Sequence, residues 1–175
     1  MCQRPRLVPG IAFPPYSYVP GRFPHPFSDP LGHHFGHDLG DATAPDSRHF
    51  LLGLDLFNHG YYWEAHEAWE SLWHAHGRRG VAATFFKALI QWCVVGVKAR
   101  EQRPEGVTSH AKRAKELFAE VASAIDGDSW MGLSLPELIA HADAVIANPP
   151  TCGDPTAVVE IVFPFVLSPR DAVDK

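Results

Sequence analysis

Residues 85–98 read FFKALIQWCVVGVK, and this stretch decides the fold class. When it is drawn as a helix, apolar side chains point to nearly every side, and Gln91 is the main polar interruption. A helix that is apolar all round is buried on most of its faces. We therefore predict a helix from about Gly80 to Arg103, ended by Pro104, at the centre of an all-α protein.

Apolar residues recur at helical spacing on both sides of this central stretch. Asp46 or Ser47 is suited to cap the first of the flanking helices, and Ser134 is suited to cap the last. We predict a compact bundle of about five helices packed as stacked pairs. Besides the central helix, its members are expected over about residues 46–58, 61–76, 105–125 and 134–148.

Composition divides the chain into three parts. Residues 1–45 hold nine of the sixteen prolines, interleaved with aromatic side chains, which predicts an extended Pro-rich arm packed on the helical body. Residues 46–150 form the predicted helical domain. Residues 151–175 are predicted to be an extended tail, although the run AVVEIVFPFVL also has the β-branched alternation of a strand.

Charge and cysteine content narrow the classes of function. The net charge of -5 disfavours nucleic-acid binding. Three scattered cysteines, Cys2, Cys93 and Cys152, suit neither a disulfide framework nor a zinc knuckle. No apolar run has the length of a membrane span or the pattern of a signal peptide. We expect a cytoplasmic protein with neither nucleic acid nor membrane as a partner, and its oligomeric state, a homo-oligomer included, stays open.

Residues 61–73, YYWEAHEAWESLW, combine three tryptophans with three glutamates and a histidine. On a helical wheel of about 100° per residue, His66 falls on the apolar face and Glu70 lies one turn on at its border. Glu67 points further towards solvent. A buried imidazole or carboxylate needs a partner. His66 and Glu70 are therefore predicted either to pair with each other or to hold a metal ion together.

A metal centre needs more than two protein ligands. Glu64 and two histidines of the arm, His25 and His33, are the candidates to join His66 and Glu70 around Zn, Mn or Fe. The arm histidines would otherwise cap turns. The catalytic candidates, as an acid–base set, are His66, Glu70 and Glu67. The side chains expected to line the pocket are Tyr62, Trp63, Trp73 and Gln91.

Residues 55–73, DLFNHGYYWEAHEAWESLW, followed by FFKALIQWCVVGVKAR, resemble the bacterial and archaeal family called domain of unknown function 309. Residues 15–36 resemble the leader of a subgroup with a longer arm. Ala88 stands where this family commonly has glycine. The resemblance implies a helical fold of about five helices and no established activity. The matching residues are Phe57, Asn58, Gly60, Tyr62, Glu64, His66, Glu67, Glu70, Trp73, Leu89, Ile90 and Gln91.

Two hypotheses of function follow, and whether the protein is an enzyme stays open between them. In the first, the helix of His66 and Glu70 carries a metal-binding or acid–base site that acts on a small molecule by hydrolytic or redox chemistry. In the second, the protein is a non-enzymatic interaction module resembling a short tetratricopeptide array. There His66, Glu70 and Gln91 would form a buried hydrogen-bond network that sets the helix register.

Overall fold

The computed structural model describes residues 4–36 and 47–170. Five helices account for most of the regular structure, which confirms the prediction of an all-α fold. Asp46, one of the two predicted caps of the first helix, lies outside the described residues. The helices are α1 (Ser47–Asn58), α2 (Tyr62–Ala75), α3 (Gly80–Arg100), α4 (Pro104–Ala124) and α5 (Leu135–Ala147).

Local chemistry explains where the helices begin and end. Helix α3 stops at Arg100, three residues before the predicted end, and Gln102 takes a left-handed conformation with φ of 59°. Pro104 then occupies the first turn of α4, where its missing N–H costs no hydrogen bond. Ser134 caps α5 as predicted, because its hydroxyl accepts from the backbone N–H of Glu137 at 3.4 Å.

A short antiparallel ladder lies between α4 and α5. Strand β1 (Ser129–Trp130) pairs with β2 (Leu133–Ser134). The two residues between the strands, Met131 and Gly132, both have positive φ, at 51° and 78°. This is the geometry of the tight turn that suits the twist of a hairpin.

Helix α3 lies at the centre of the bundle, between α2 and α4, while α1 packs on α2 and α5 on α4. Among the described residues it is also the one helix that is long and apolar enough to cross a membrane by length and composition. In the structure, however, 56% of its apolar window is buried inside the protein. Its composition is accounted for by its place in the core, as its all-round apolar pattern predicts.

Gly96 allows α2 and α3 to approach closely, because a Cβ at this position would clash with the ring of Tyr62. We expect Gly96→Ala to lower the free energy of unfolding by about 1–3 kcal/mol, the usual cost of overpacking. Gly106→Ala on α4 is the matched control, since its Cβ would meet the flexible side chain of Lys98. Urea denaturation should show the control unchanged or stabilised. Equal effects of the two changes would contradict the close approach.

The segments that flank the bundle contain turns and bends, with neither helix nor strand over residues 4–36 and 148–169. The predicted boundary near residue 45 lies outside the described residues, so the three-part division stays a prediction. The C-terminal segment, residues 148–169, buries Phe163 against the core. The ring of Phe163 stacks on Phe57 and on Trp92, with distances between ring centroids of 5.2 and 5.4 Å.

Asp55 fixes the segment before the bundle, residues 4–36, to helix α1. It is 0% exposed, and its carboxylate accepts from the backbone N–H groups of Leu7 and Val8 at 2.7 and 2.8 Å. The guanidinium of Arg6 adds a third contact at 3.1 Å and lies over the ring of Phe13. A single buried acid on α1 therefore fixes the path of residues 6–8.

The C-terminal segment is held by side chains at the junction of α1 and α2. Asn58 exchanges two hydrogen bonds with the backbone of Leu167, each 2.8 Å long. The hydroxyl of Tyr62 accepts from the backbone N–H of Val162 at 2.9 Å. Arg4 joins both segments to the body, since its guanidinium donates to the carbonyls of Asn58, Phe163 and Phe165.

Candidate functional site

Glu64 and His66 lie on opposite sides of α2. Glu64 and His66 are two residues apart, which separates them by about 200° around the helix axis. Glu67 and Glu70 follow His66, whereas Glu64 is buried beneath the N-terminal segment (residues 4–36). The structure consequently divides the predicted site into two groups.

The first group comprises His66, Glu67 and Glu70. The imidazole Nδ1 of His66 lies 3.2 Å from Glu67 Oε1 and 4.0 Å from Glu70 Oε2. One ligand atom from each residue can be chosen so that all three lie within 4.8 Å of one another. The side chains are 25%, 24% and 38% exposed, so water and ions can reach them.

Two details of this group correct the helical wheel. His66, predicted to be substantially buried, is half-buried at the border of the packed face. Glu67, predicted to point further into solvent than Glu70, is the less exposed of the two and is nearer to the imidazole. The wheel treats α2 as isolated, whereas Glu67 lines a cavity whose other walls include Ile11 and Pro14 of the N-terminal segment.

His74 extends the same row and was not among the predicted site residues. Its Nε2 lies 3.9 Å from Glu70 Oε1, and Arg78 donates to its Nδ1 from Nε at 3.0 Å. Its position four residues after Glu70 was a signal that could have found it, because such residues are neighbours on a helix surface.

The second group pairs Glu64 with His33. The Glu64 carboxylate accepts from the backbone N–H of Tyr18 at 2.8 Å, and His33 Nε2 lies 3.7 Å from the same oxygen, Oε1. Both side chains are about 5% exposed or less. Within residues 4–36 and 47–170, Glu64 Oε2 and both imidazole nitrogens of His33 have no hydrogen-bond partner. Buried polar atoms are rarely left in this state.

Burial changes the proton affinity of both groups. It raises the pKa of Glu64 from 4.5 to about 7, an effect that the Tyr18 N–H and the Ser17 hydroxyl partly offset. It lowers the pKa of His33 from 6.5 to about 4, and the neighbouring His34 adds to the change. Near neutral pH, His33 is therefore uncharged, and burial favours the protonated form of Glu64.

The structure does not bring the predicted arm ligands to His66 and Glu70. His33 lies with Glu64, and His25 accepts at Nδ1 from the backbone N–H groups of Phe27 and Ser28 at 3.3 Å. His25 thus caps a turn, the alternative left open for it. Of the predicted residues, His66, Glu67 and Glu70 have ligand atoms within 4.8 Å of one another, whereas Glu64 is directed elsewhere by the turn of the helix; metal binding stays a prediction.

The four residues expected to line a pocket also separate. Trp63 lines the cavity of the N-terminal segment, whereas Tyr62 is buried in the core and Trp73 packs beside His74. Gln91 accepts from Nδ1 of His110 on α4 at 2.8 Å. The predicted network of His66, Glu70 and Gln91 is therefore not formed, since Gln91 faces α4 rather than the outer side of α2.

A cavity does lie beside α2, and Trp63 is the one of the four expected lining residues found in its wall. It has a volume of about 280 Å³ and lies between the N-terminal segment, α1 and α2. Most of its surface is apolar, and the two glutamates in its wall, Glu64 and Glu67, come one from each group. Its apolar walls include Ile11, Phe27, Leu52, Leu56 and Trp63.

Comparison with known families bears on the helices that carry both groups. Residues 50–109 match the model of a family described as Domain of unknown function (DUF309). Over these residues the chain is similar to the DUF309 family. The match includes nearly all of α1, the whole of α2 and α3, and the start of α4. No curated protein and no solved structure matches the chain.

Several residues within the matched segment bond to parts of the chain that lie outside it. Asn58, Tyr62 and Glu64 bond to the backbone of Leu167, Val162 and Tyr18 respectively. These three residues therefore fix the flanking segments to the bundle. The side chains of His66, Glu67 and Glu70 are instead directed at one another.

Proposed function

We propose that this protein binds one divalent transition metal ion, Zn²⁺, Mn²⁺ or Fe²⁺, through His66, Glu67 and Glu70, and acts on a small molecule beside it. The observation that carries the proposal is the convergence of one imidazole and two carboxylates, with ligand atoms within 4.8 Å of one another on one helix. The unpaired, buried thiols of Cys93 and Cys152 support a reducing compartment, and we place the protein in the cytoplasm.

The ligand geometry needs only small side-chain movements. A metal bound at about 2.0–2.2 Å from each donor requires donor atoms no more than about 4.4 Å apart. The longer of the two imidazole–carboxylate distances is already 4.0 Å. His74, in contact with Glu70, would orient that carboxylate from outside the ligand set, as partners of metal ligands do.

Three protein ligands leave coordination positions open for water and substrate. Glu67 belongs both to the metal group and to the wall of the cavity, so the open side of the site adjoins a place where a small molecule fits. An open metal position of this kind supports hydrolytic or redox chemistry. The proposed activity is a reaction of that type on a molecule held in the cavity.

Metal content tests the proposal directly. We expect protein purified without an affinity tag, and dialysed against Zn²⁺, Mn²⁺ or Fe²⁺, to retain about one equivalent of one of them. His66→Ala and Glu70→Ala should weaken that binding at least tenfold, measured by calorimetry, while circular dichroism shows both variants folded. The reason is that each change removes one of three donors from a site with no spare ligand in the group.

Two variants serve as controls for the metal measurement. Glu116→Ala removes a carboxylate that is 63% exposed and paired with Arg113, far along the chain from α2. His25→Ala removes a histidine that caps a turn. Both should bind metal like the wild type. Metal-free wild type, with the α2 variants merely less stable, would instead favour the alternative of a tetratricopeptide-like interaction module.

A further inference from the structure

We propose that the cavity between the N-terminal segment, α1 and α2 binds a small, mainly apolar amine, with Glu64 as the acceptor for its ammonium group. The inference does not depend on metal binding, because Glu64 lies outside the group of His66, Glu67 and Glu70. Two independent observations carry it: an apolar cavity, and a buried carboxylate in its wall whose Oε2 accepts no hydrogen bond within the described residues.

The size of the cavity sets the size of the ligand. An apolar cavity of about 150 Å³ is enough to hold benzene. The present cavity, at about 280 Å³, therefore accommodates an aromatic ring with a short side chain. The rings of Phe27 and Trp63 lie in its wall and supply faces against which such a ligand packs.

The charge of the wall selects the polar group of the ligand. Its titratable members are Glu64, Glu67, His34 and His49. Both glutamates accept hydrogen bonds when ionised, and the face of an indole ring attracts cations. A donor on the ligand would satisfy Glu64, whose burial without a full set of partners is unfavourable. An ammonium group meets these conditions, whereas a carboxylate on the ligand would be repelled.

Glu64 also connects the ligand to the N-terminal segment. Its Oε1 accepts from the backbone N–H of Tyr18, so the same carboxylate holds one wall of the cavity in place. Ile11, Ala12 and Pro14 of that segment complete the wall. A ligand that bonds to Glu64 would consequently contact both the DUF309 helices and the segment outside the family match.

Binding of three matched probes to the full chain tests the inference. The probes are 2-phenylethylamine, 2-phenylethanol and phenylacetate, titrated by calorimetry into chelator-treated protein so that the result is independent of the proposed metal. We expect saturable binding of one equivalent of the amine, with the alcohol at least tenfold weaker and phenylacetate weakest. Tighter binding of phenylacetate than of the amine, or no saturable binding of any probe, would overturn the proposal.

Two variants locate the bound probe. Glu64→Gln should weaken binding of the amine at least tenfold and change binding of the alcohol by no more than about twofold. The reason is that only the cation loses its counter-charge. Ala68→Leu should weaken all three probes, because Ala68 lines the cavity and the added atoms would fill it. If Glu64→Gln does not fold, Ala68→Leu alone decides the location. Amine binding that is unchanged in Ala68→Leu would place the site elsewhere and refute the inference.

Discussion

Asp55→Ala is expected to lower the free energy of unfolding by about 3–5 kcal/mol, the usual cost of removing one partner from a buried charged pair. The wild-type carboxylate is fully buried and accepts from two backbone N–H groups and from Arg6. Alanine would leave these three donors without their acceptor. Water can hydrate these donors only if the N-terminal segment detaches from the helical bundle.

Urea denaturation and hydrogen exchange check this prediction together. In Asp55→Ala, the amides of Leu7 and Val8 should exchange much faster than in the wild type, because both donate to the deleted carboxylate. The probe amine should also bind more weakly, since Ile11, Ala12 and Pro14 form one wall of the cavity. Asp55→Asn, which keeps one acceptor oxygen, should be intermediate in stability.

Asp143→Ala is the matched control for the loss of an aspartate. Asp143 pairs with Lys115 at 2.6 Å, but the two side chains are 54% and 41% exposed. An exposed pair contributes at most about 1 kcal/mol. A similar loss of stability in both aspartate variants would contradict the prediction that the buried carboxylate of Asp55 contributes more to stability than an exposed one.

The variants Glu64→Gln and His33→Phe are expected to change the pH dependence of stability in opposite directions. The pKa of Glu64 is about 7 in the folded protein against 4.5 in the unfolded chain. Its contribution is thus fully present below pH 4.5 and is lost as the pH rises to 7. At about 1.4 kcal/mol per pKa unit, this loss amounts to about 3 kcal/mol.

His33 acts with the opposite sign over nearly the same range. Its pKa is about 4 in the folded protein against 6.5 in the unfolded chain. Its contribution is present above pH 6.5 and is lost as the pH falls to 4, because the unfolded chain then binds a proton that the folded protein does not. In the wild type, the two contributions oppose each other between pH 4.5 and 6.5.

Each variant should reveal the contribution of the group that remains. Relative to the wild type, Glu64→Gln should gain stability as the pH rises from 4.5 to 6.5, and His33→Phe should lose it. Urea midpoints at four pH values from 4.5 to 7.5 measure the slopes. Glu116→Gln, which changes an exposed glutamate, should run parallel to the wild type. Slopes of the same sign in the two variants would contradict the assignment.

Helical periodicity in the sequence was enough to predict the bundle. Each predicted helix agrees with the structure to within about three residues at its ends, and α3 is central as its apolar pattern indicates. Such success is expected because helix formation depends on neighbours three and four residues apart. The same local geometry makes His66 and Glu70 neighbours on α2, as their spacing predicts.

Local spacing was less informative about burial on α2. The wheel placed Glu67 on the solvent side, yet the N-terminal segment passes close enough for this side chain to line the cavity. The course of that segment follows no period, because its prolines prevent regular helix and central strand. The side of α2 that it covers could therefore not be read from spacing.

The sequence by itself determined the helices, the similarity of the central segment to DUF309 and the adjacency of His66 with Glu70. Tertiary structure alone decided that Glu64 belongs with His33 and Tyr18, that Asp55 holds residues 6–8, and which residues line the cavity beside α2. The physical reason is distance along the chain. These contacts join residues 31 to 49 positions apart, and only the folded path of an aperiodic segment brings them together.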